Sequence, residues 1–463
     1  MTGHSSAIPT ELGTEDIGRL LKQYALPAII AQTAASLYNM VDSIFIGQGV
    51  GPLAISGLAV TFPLMNLMTA FGTLVGMGAS TMLSVLLGQR NYSAACKVLG
   101  NVVSLNTIIG IAFMAVAITF LDPILYFFGA SENTLPYAKE YMSIILYGNV
   151  VTHLYFGLNS AMRASGNPKK AMGLTLFTVI FNTILDPIFI FVFDMGISGA
   201  AWATVIAQCC ALTVVMRHFS DRTKMLHFEK GIFRLDTRIA RDSLAIGLGP
   251  FLMNSAACIV TLFINQQLRK YSGDLGIGAY GICNRFAFMF IMICIGLNQG
   301  MQPIAGYNYG ARKYSRVKEV FWRTAKLATV VTTLCFIIGM FFPHIACGIF
   351  THDEQLLDMA AKGLRITTMF FPIVGFQMIS TNFFQSLGMV SKSVFLSLSR
   401  QIVFLLPLLY ILPLEFQAKG VWMSFPISDL IASLMTIFMI SRLFKKFSML
   451  NDGDDPAILG SQL

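Results

Sequence analysis

Twelve apolar runs alternate with short polar connections along this chain, and that alternation predicts its elements. Spans 1 to 6 are Leu20–Gly47, Leu53–Leu87, Ala94–Leu121, Tyr137–Met162, Ala171–Phe193 and Ser198–Phe219. Spans 7 to 12 are Ile239–Leu268, Gly276–Tyr307, Val320–Phe342, Met359–Leu387, Ser393–Leu412 and Gly420–Phe444. Each reaches the roughly 20 residues an α-helix needs to cross a bilayer core. Only Ser220–Arg238 is a long polar connection. The pattern predicts an all-α polytopic membrane protein with 12 helices. They form two six-helix lobes, residues 1–219 and 239–463, joined by a cytoplasmic linker at 220–238.

The halves resemble each other. Gly88-Gln89-Arg90-Asn91-Tyr92-Ser93 recurs as Gly310-Ala311-Arg312-Lys313-Tyr314-Ser315, and Leu53-Ala54-Ile55-Ser56 aligns with Leu275-Gly276-Ile277-Gly278. Gly166 pairs with Gly388, then Pro187 with Pro407 and Trp202 with Trp422. Six is even, so the second half enters the membrane in the same sense as the first. This is the parallel repeat of transporters that rock two lobes around a cleft.

Composition agrees with the pattern. The 463 residues are 55% hydrophobic and 12% charged, against roughly 25% charged in a soluble domain. That excludes a soluble enzyme and a nucleic-acid binder. The net charge of +9 reads as orientation. With the N-terminus inside, the cytoplasmic connections collect most Lys and Arg, including Arg90, Arg163, Lys169, Lys170, Arg312, Lys313, Lys445 and Lys446. Both termini are therefore expected in the cytoplasm, in a multi-pass plasma (inner) membrane protein. No cleavable signal pattern precedes span 1, which is expected to be retained. The eight Cys form no CxxC or Cys/His cluster and read as small apolar residues.

Ionisable residues at membrane depth are expensive, so each needs a reason. Asp42 lies five residues before the outer end of span 1, and Asp186 seven before that of span 5. Both fall roughly 7–11 Å below the outer surface. Asn182 is one turn from Asp186, and Thr204 reaches the same depth from span 6. Two carboxylates, an amide and a hydroxyl suit a hard monovalent cation such as Na+, or a shared proton. Arg400 and Asp429 reach similar depths on antiparallel neighbours and read as a structural ion pair. Arg285 lacks an obvious acid and is expected to face the cleft. His153 reads as a packed residue. The second lobe offers no matching acid pair, only amides and hydroxyls such as Asn254 and Gln377, so any proton coupling belongs mainly to the first lobe.

These residues resemble the multidrug and toxic compound extrusion (MATE) family. The signs are Pro27, Tyr38-Asn39-Met40-Val41-Asp42, Gly88-Gln89-Arg90, Arg163-Ala164-Ser165-Gly166-Asn167-Pro168 and Asn182-Thr183-Ile184-Leu185-Asp186-Pro187. Ala279-Tyr280-Gly281-Ile282 and Arg400-Gln401 with Pro407 follow. The likeness runs from about Ile17 to Phe447 and is strongest to the bacterial and archaeal branch with an acid pair in the first lobe. It implies that Asp42, Asn182, Asp186 and Thr204 hold the coupling ion. It also implies that Tyr38, Asn159 and Asn182 line the substrate cavity, and that Pro27 bends span 1 as a conformational hinge.

The implied function is a secondary antiporter exporting amphipathic, cationic drugs or metabolites in exchange for H+ or Na+, by alternating access. The alternative is a lipid-linked saccharide flippase of the same superfamily, which usually has more spans or a cationic cavity. An intramembrane enzyme built on Asp42 and Asp186 lacks any accompanying nucleophile or metal-ligand motif. The expected partners are a small molecule and the lipid bilayer, with no nucleic acid. The chain is expected to work as a monomer, without cofactor beyond H+ or Na+, and not as an enzyme.

Overall fold

The computed structural model describes residues 11–229, 231, 234–351 and 353–455. All regular structure among them is helical. With no water in a bilayer core, each spanning segment must satisfy its own backbone, and a helix does so internally. Eight continuous helices are long and apolar enough to cross. One of these, Val390–Phe447, turns back at Gln417 (φ 50°, ψ −133°) and supplies spans 11 and 12. Span 1 is the 33-residue helix Ile17–Gly49. Span 4 is broken at Gly148 into Leu135–Tyr147 and Asn149–Ala164, and span 10 comprises Glu354–Thr367 and Phe371–Ser386. Among the described residues the total is the expected 12.

The repeat extends into the backbone. Positive φ occurs at Gly51 and Gly273, Arg90 and Arg312, Gly166 and Gly388, each pair 222 residues apart. The turns after spans 2 and 8 carry matching hydrogen bonds: Arg90 N to Leu87 O and Asn91 N to Leu86 O, Arg312 N to Tyr309 O and Lys313 N to Asn308 O. Short helices at Leu121–Phe127 and Pro343–Gly348 also correspond, and the sequence pattern had not separated them from their neighbours.

Two compact units divide the chain. One holds Ile30–Phe251 with the short helix Glu11–Thr14, the other Glu15–Ile29 with the chain from Leu252 onward. Spans 1 and 7 therefore each change unit partway along, at positions 222 residues apart. The first unit is packed around Leu64, Met68, Tyr141, Leu146, Ala200 and Ala201. The second is packed around Ile264, Leu268, Cys283, Leu364, Val421 and Trp422. In lipid such packing rests on close approach at small residues more than on apolar burial. Glycines supply it: a Cβ on Gly247 would collide with the Leu74 carbonyl in the first unit, and one on Gly300 with the Ala25 backbone in the second.

Candidate functional site: a buried acid cluster in the first unit

Span 5 delivers two members of the cluster. Its helix runs Pro168–Pro187 and passes into a π-helical turn at Ile188–Val192. Pro187 has no N–H to give to the previous turn, so the regular ladder loosens immediately after Asp186. Asn182 and Asp186 share one face, one turn apart, and both are buried, Asp186 completely. Span 6 supplies Thr204, and span 1 supplies Tyr38 and Asp42.

The Tyr38 hydroxyl and Thr204 Oγ1 are 2.9 Å apart. The donors and acceptors around Asn182 orient its amide. As placed, its nitrogen lies 3.0 Å from Thr204 Oγ1 and 3.2 Å from the Tyr38 hydroxyl. Turned over, Nδ2 donates to both Asp186 oxygens at 3.1 Å and Oδ1 accepts from Thr204 N and Thr204 Oγ1 at 3.0 Å, which matches every donor to an acceptor. In that matched orientation Asp186 receives hydrogen bonds at both oxygens, whereas Asp42 is buried with its Oδ1 lacking a partner. The two carboxylates lie within electrostatic reach of each other, of Tyr38 and of Tyr141 from span 4. Tyr141 is 1% exposed and was not singled out in the sequence, where an aromatic residue in an apolar run carries no distinguishing mark.

The structure thus brings Tyr38, Asp42, Asn182, Asp186 and Thr204 into one cluster. Asn159 stands apart from it: its Nδ2 donates to Thr175 Oγ1 at 3.2 Å, and its buried Oδ1 is unpartnered. Pro27 lies inside the helix Ile17–Gly49, two residues before span 1 changes unit. In the second unit Arg400 Nε donates to Asp429 Oδ1 at 2.6 Å, and Ser428 Oγ donates to the Arg400 carbonyl at 2.9 Å. Arg400 lies in a second π-helical stretch, Ser399–Leu405. Arg285 is exposed. His153 is fully buried, with Nε2 2.9 Å from the Met68 carbonyl. Among the described residues no three His, Cys, Asp or Glu side chains gather as a metal site.

Two buried carboxylates with unequal hydrogen bonding can hold a proton or, with the neighbouring oxygens, a small cation. The family profile described as MatE matches residues 27–188 and 245–411, taking in Asp42, Asn182 and Asp186. The chain belongs to the MatE family. As a MATE transporter it resembles the multidrug export protein MepA of Staphylococcus aureus (strain MRSA252), with 27% identity over 91% of this chain and 93% of that one. MepA of Staphylococcus haemolyticus (strain JCSC1435) is 26% identical over 94% and 95%. Among solved structures, the MATE multidrug transporter DinF-BH is 34% identical, covers 95% of this chain and 98% of its own, and superposes with a TM-score of 0.87. The outward-facing conformation of a multidrug resistance MATE family transporter is 21% identical, with a TM-score of 0.89 over 97% of this chain and 100% of that one. That second likeness bears on the fold alone.

Proposed function

We propose that this MATE transporter exports amphipathic, cationic small molecules across the plasma membrane in exchange for protons, with Asp42 and Asp186 as the coupling carboxylates. The MepA relatives are multidrug export proteins, and DinF-BH, 34% identical, is a multidrug transporter, which supports drug export. The choice of proton over Na+ rests on one observation, the buried Asp42 oxygen that has no hydrogen-bond partner. In the orientation that matches its donors and acceptors, Asn182 turns its nitrogen to Asp186 and its oxygen to Thr204, so the amide then offers Asp186 donors and not a cation ligand. The bare Asp42 oxygen is then the natural seat for a proton, which replaces the missing donor. Holding Na+ at Asp42, Asn182, Asp186 and Thr204 requires the opposite orientation of that amide.

In this reading the carrier works as a monomer with both termini in the cytoplasm, makes and breaks no covalent bond, and needs no cofactor. The repeat-related halves are residues 1–219 and 239–463, joined by the segment 220–238, while each compact unit takes in a half-span from the other half of the chain. Pro27 is the hinge of span 1, Tyr38, Asn159 and Asn182 face the substrate, and Arg400 with Asp429 is structural. Exchange of one proton for one monovalent cation moves no net charge, so the pH gradient alone drives it. Dye efflux from proteoliposomes under separately imposed H+ and Na+ gradients tests the reading. Efflux that follows only the Na+ gradient removes the proton assignment.

A further inference from the structure

The matching turns after spans 2 and 8 differ at two positions, Gln89 against Ala311 and Asn91 against Lys313, and the second difference changes the helix cap. In the first turn, Asn91 is the cap residue of span 3, and its Oδ1 accepts from Ala94 N at 3.2 Å. The residue 222 positions on is Lys313, whose side chain holds only donors and so cannot accept from the N–H groups that open span 9. The first N–H groups of an α-helix have no partner within the helix and need an acceptor from elsewhere.

Residues 451–455, after span 12, bring one. Asp452 Oδ1 accepts from Ser315 N at 2.9 Å, and Oδ2 accepts from Ser315 Oγ at 2.5 Å. Gly453 N donates to the Arg312 carbonyl at 2.8 Å, and the Arg312 guanidinium returns a bond to the Gly453 carbonyl at 3.4 Å. The Tyr314 hydroxyl donates to the Asp454 carbonyl at 2.8 Å. The segment is held in shape by Asn451 N donating to Asp454 Oδ2 at 2.7 Å and by Gly453 at φ 102°. Arg312 also lies 3.8 Å from Asp455.

We infer that Asp452 is the helix cap of span 9, supplied from the far end of the second unit, and that the turn 310–315 is a docking surface for the acidic segment Asp452–Asp455. The corresponding turn of the first unit needs no such visitor, because Asn91 caps its own helix. The turn after span 8 is therefore the one that can be released, by removing or neutralising residues 452–455. Release exposes the Ser315 amide and frees the positive-φ residue Arg312. The groups facing Asp452 are Ser315, Tyr314 and Lys318, with Arg312 against its neighbours. Partial burial pushes the Asp452 carboxyl up, but the bonds donated by Ser315 outweigh it and hold the carboxyl below the usual carboxylate range. A carboxyl lowered on folding contributes above its unfolded value, and that contribution is lost as pH falls through the folded one. The clasp therefore stays closed near neutral pH and opens in acid.

Hydrogen exchange on the full-length protein, read by mass spectrometry over residues 314–318, tests this. Loss of a cap costs about 1 kcal/mol, or about fivefold in local opening. Asp452→Ala is expected to speed exchange at Ser315 about fivefold while the turn 88–94 stays unchanged. Asp452→Asn, which keeps Oδ1 as acceptor, should lose less. Lys313→Asn supplies a cap acceptor as Asn91 does, to the amide of residue 316 and not 315, so Asp452→Ala with Lys313→Asn should regain protection across the 314–318 peptide though not at Ser315 itself. Unchanged exchange in Asp452→Ala, equal loss at 88–94, or no recovery with Lys313→Asn would each overturn the inference. None of these readouts depends on transport, so they stand apart from the proton-coupling assignment.

Discussion

Asp42 and Asp186 are unequal partners, and the inequality leads to different expectations for their variants. With Asn182 in its matched orientation Asp186 accepts two bonds from it, whereas Asp42 has a buried oxygen with no donor. An unpartnered buried polar atom costs about 1–3 kcal/mol. Asp42→Asn places a neutral amide there, so thermal stability should hold or rise while driven efflux falls at least tenfold. Asp186→Asn should also lose efflux but melt lower, because the Asn182 amide then faces a second amide. Wild-type efflux in both variants would remove the coupling role. At the Arg400–Asp429 pair, removing Arg400 strands the buried Asp429 carboxylate and should cost about 3–5 kcal/mol, whereas removing Asp429 leaves the partly exposed Arg400 and should cost less, with the double variant milder than loss of Arg400 alone. Additive losses in a double-mutant cycle would mean the pair carries no coupling. Depth counting along the helices was enough to nominate Asp42, Asn182, Asp186, Thr204 and this pair. It was silent on Tyr141 and on which way the Asn182 amide points, because neither follows from position along a helix.

Spans 2, 3 and 5 were legible to within about three residues, because Pro52, Asn91 and Pro168 mark their starts chemically. The interruptions were not. Gly148 in span 4 and Thr368–Phe370 in span 10 break the helix inside apolar sequence, and the π-helical stretches leave no periodic trace. Pro27 is the exception, since its missing N–H leaves the Gln23 carbonyl without its regular partner whatever the surroundings. Pro27→Ala restores that bond, so the protein should stay folded and export more slowly. The distance change between spin labels placed along span 1 should shrink, and an unchanged distribution with normal efflux would discount the hinge. Gly300→Ala forces a methyl against the Ala25 backbone. Overpacking of this kind costs about 1–3 kcal/mol, which a melting curve of the purified protein should register.

Across the whole molecule, the internal repeat was the strongest signal in the sequence, and it reappears as pairs of positive-φ residues and matching turn hydrogen bonds. The exchange of half-spans at Ile29 and Phe251 was not legible. An apolar run reads the same whichever unit its halves pack in, and it takes contacts such as those at Gly247 and Gly300 to distinguish them. The acid cluster in the first unit carries the central functional assignment, proton-coupled export. The measurement that tests it most directly is efflux of a cationic dye from proteoliposomes holding wild-type protein or Asp42→Asn, under a pH gradient without Na+. Wild-type protein should drive efflux that collapses with the gradient and is absent in Asp42→Asn. Equal efflux from the two proteins, or none from wild type until a Na+ gradient is imposed, would contradict the account.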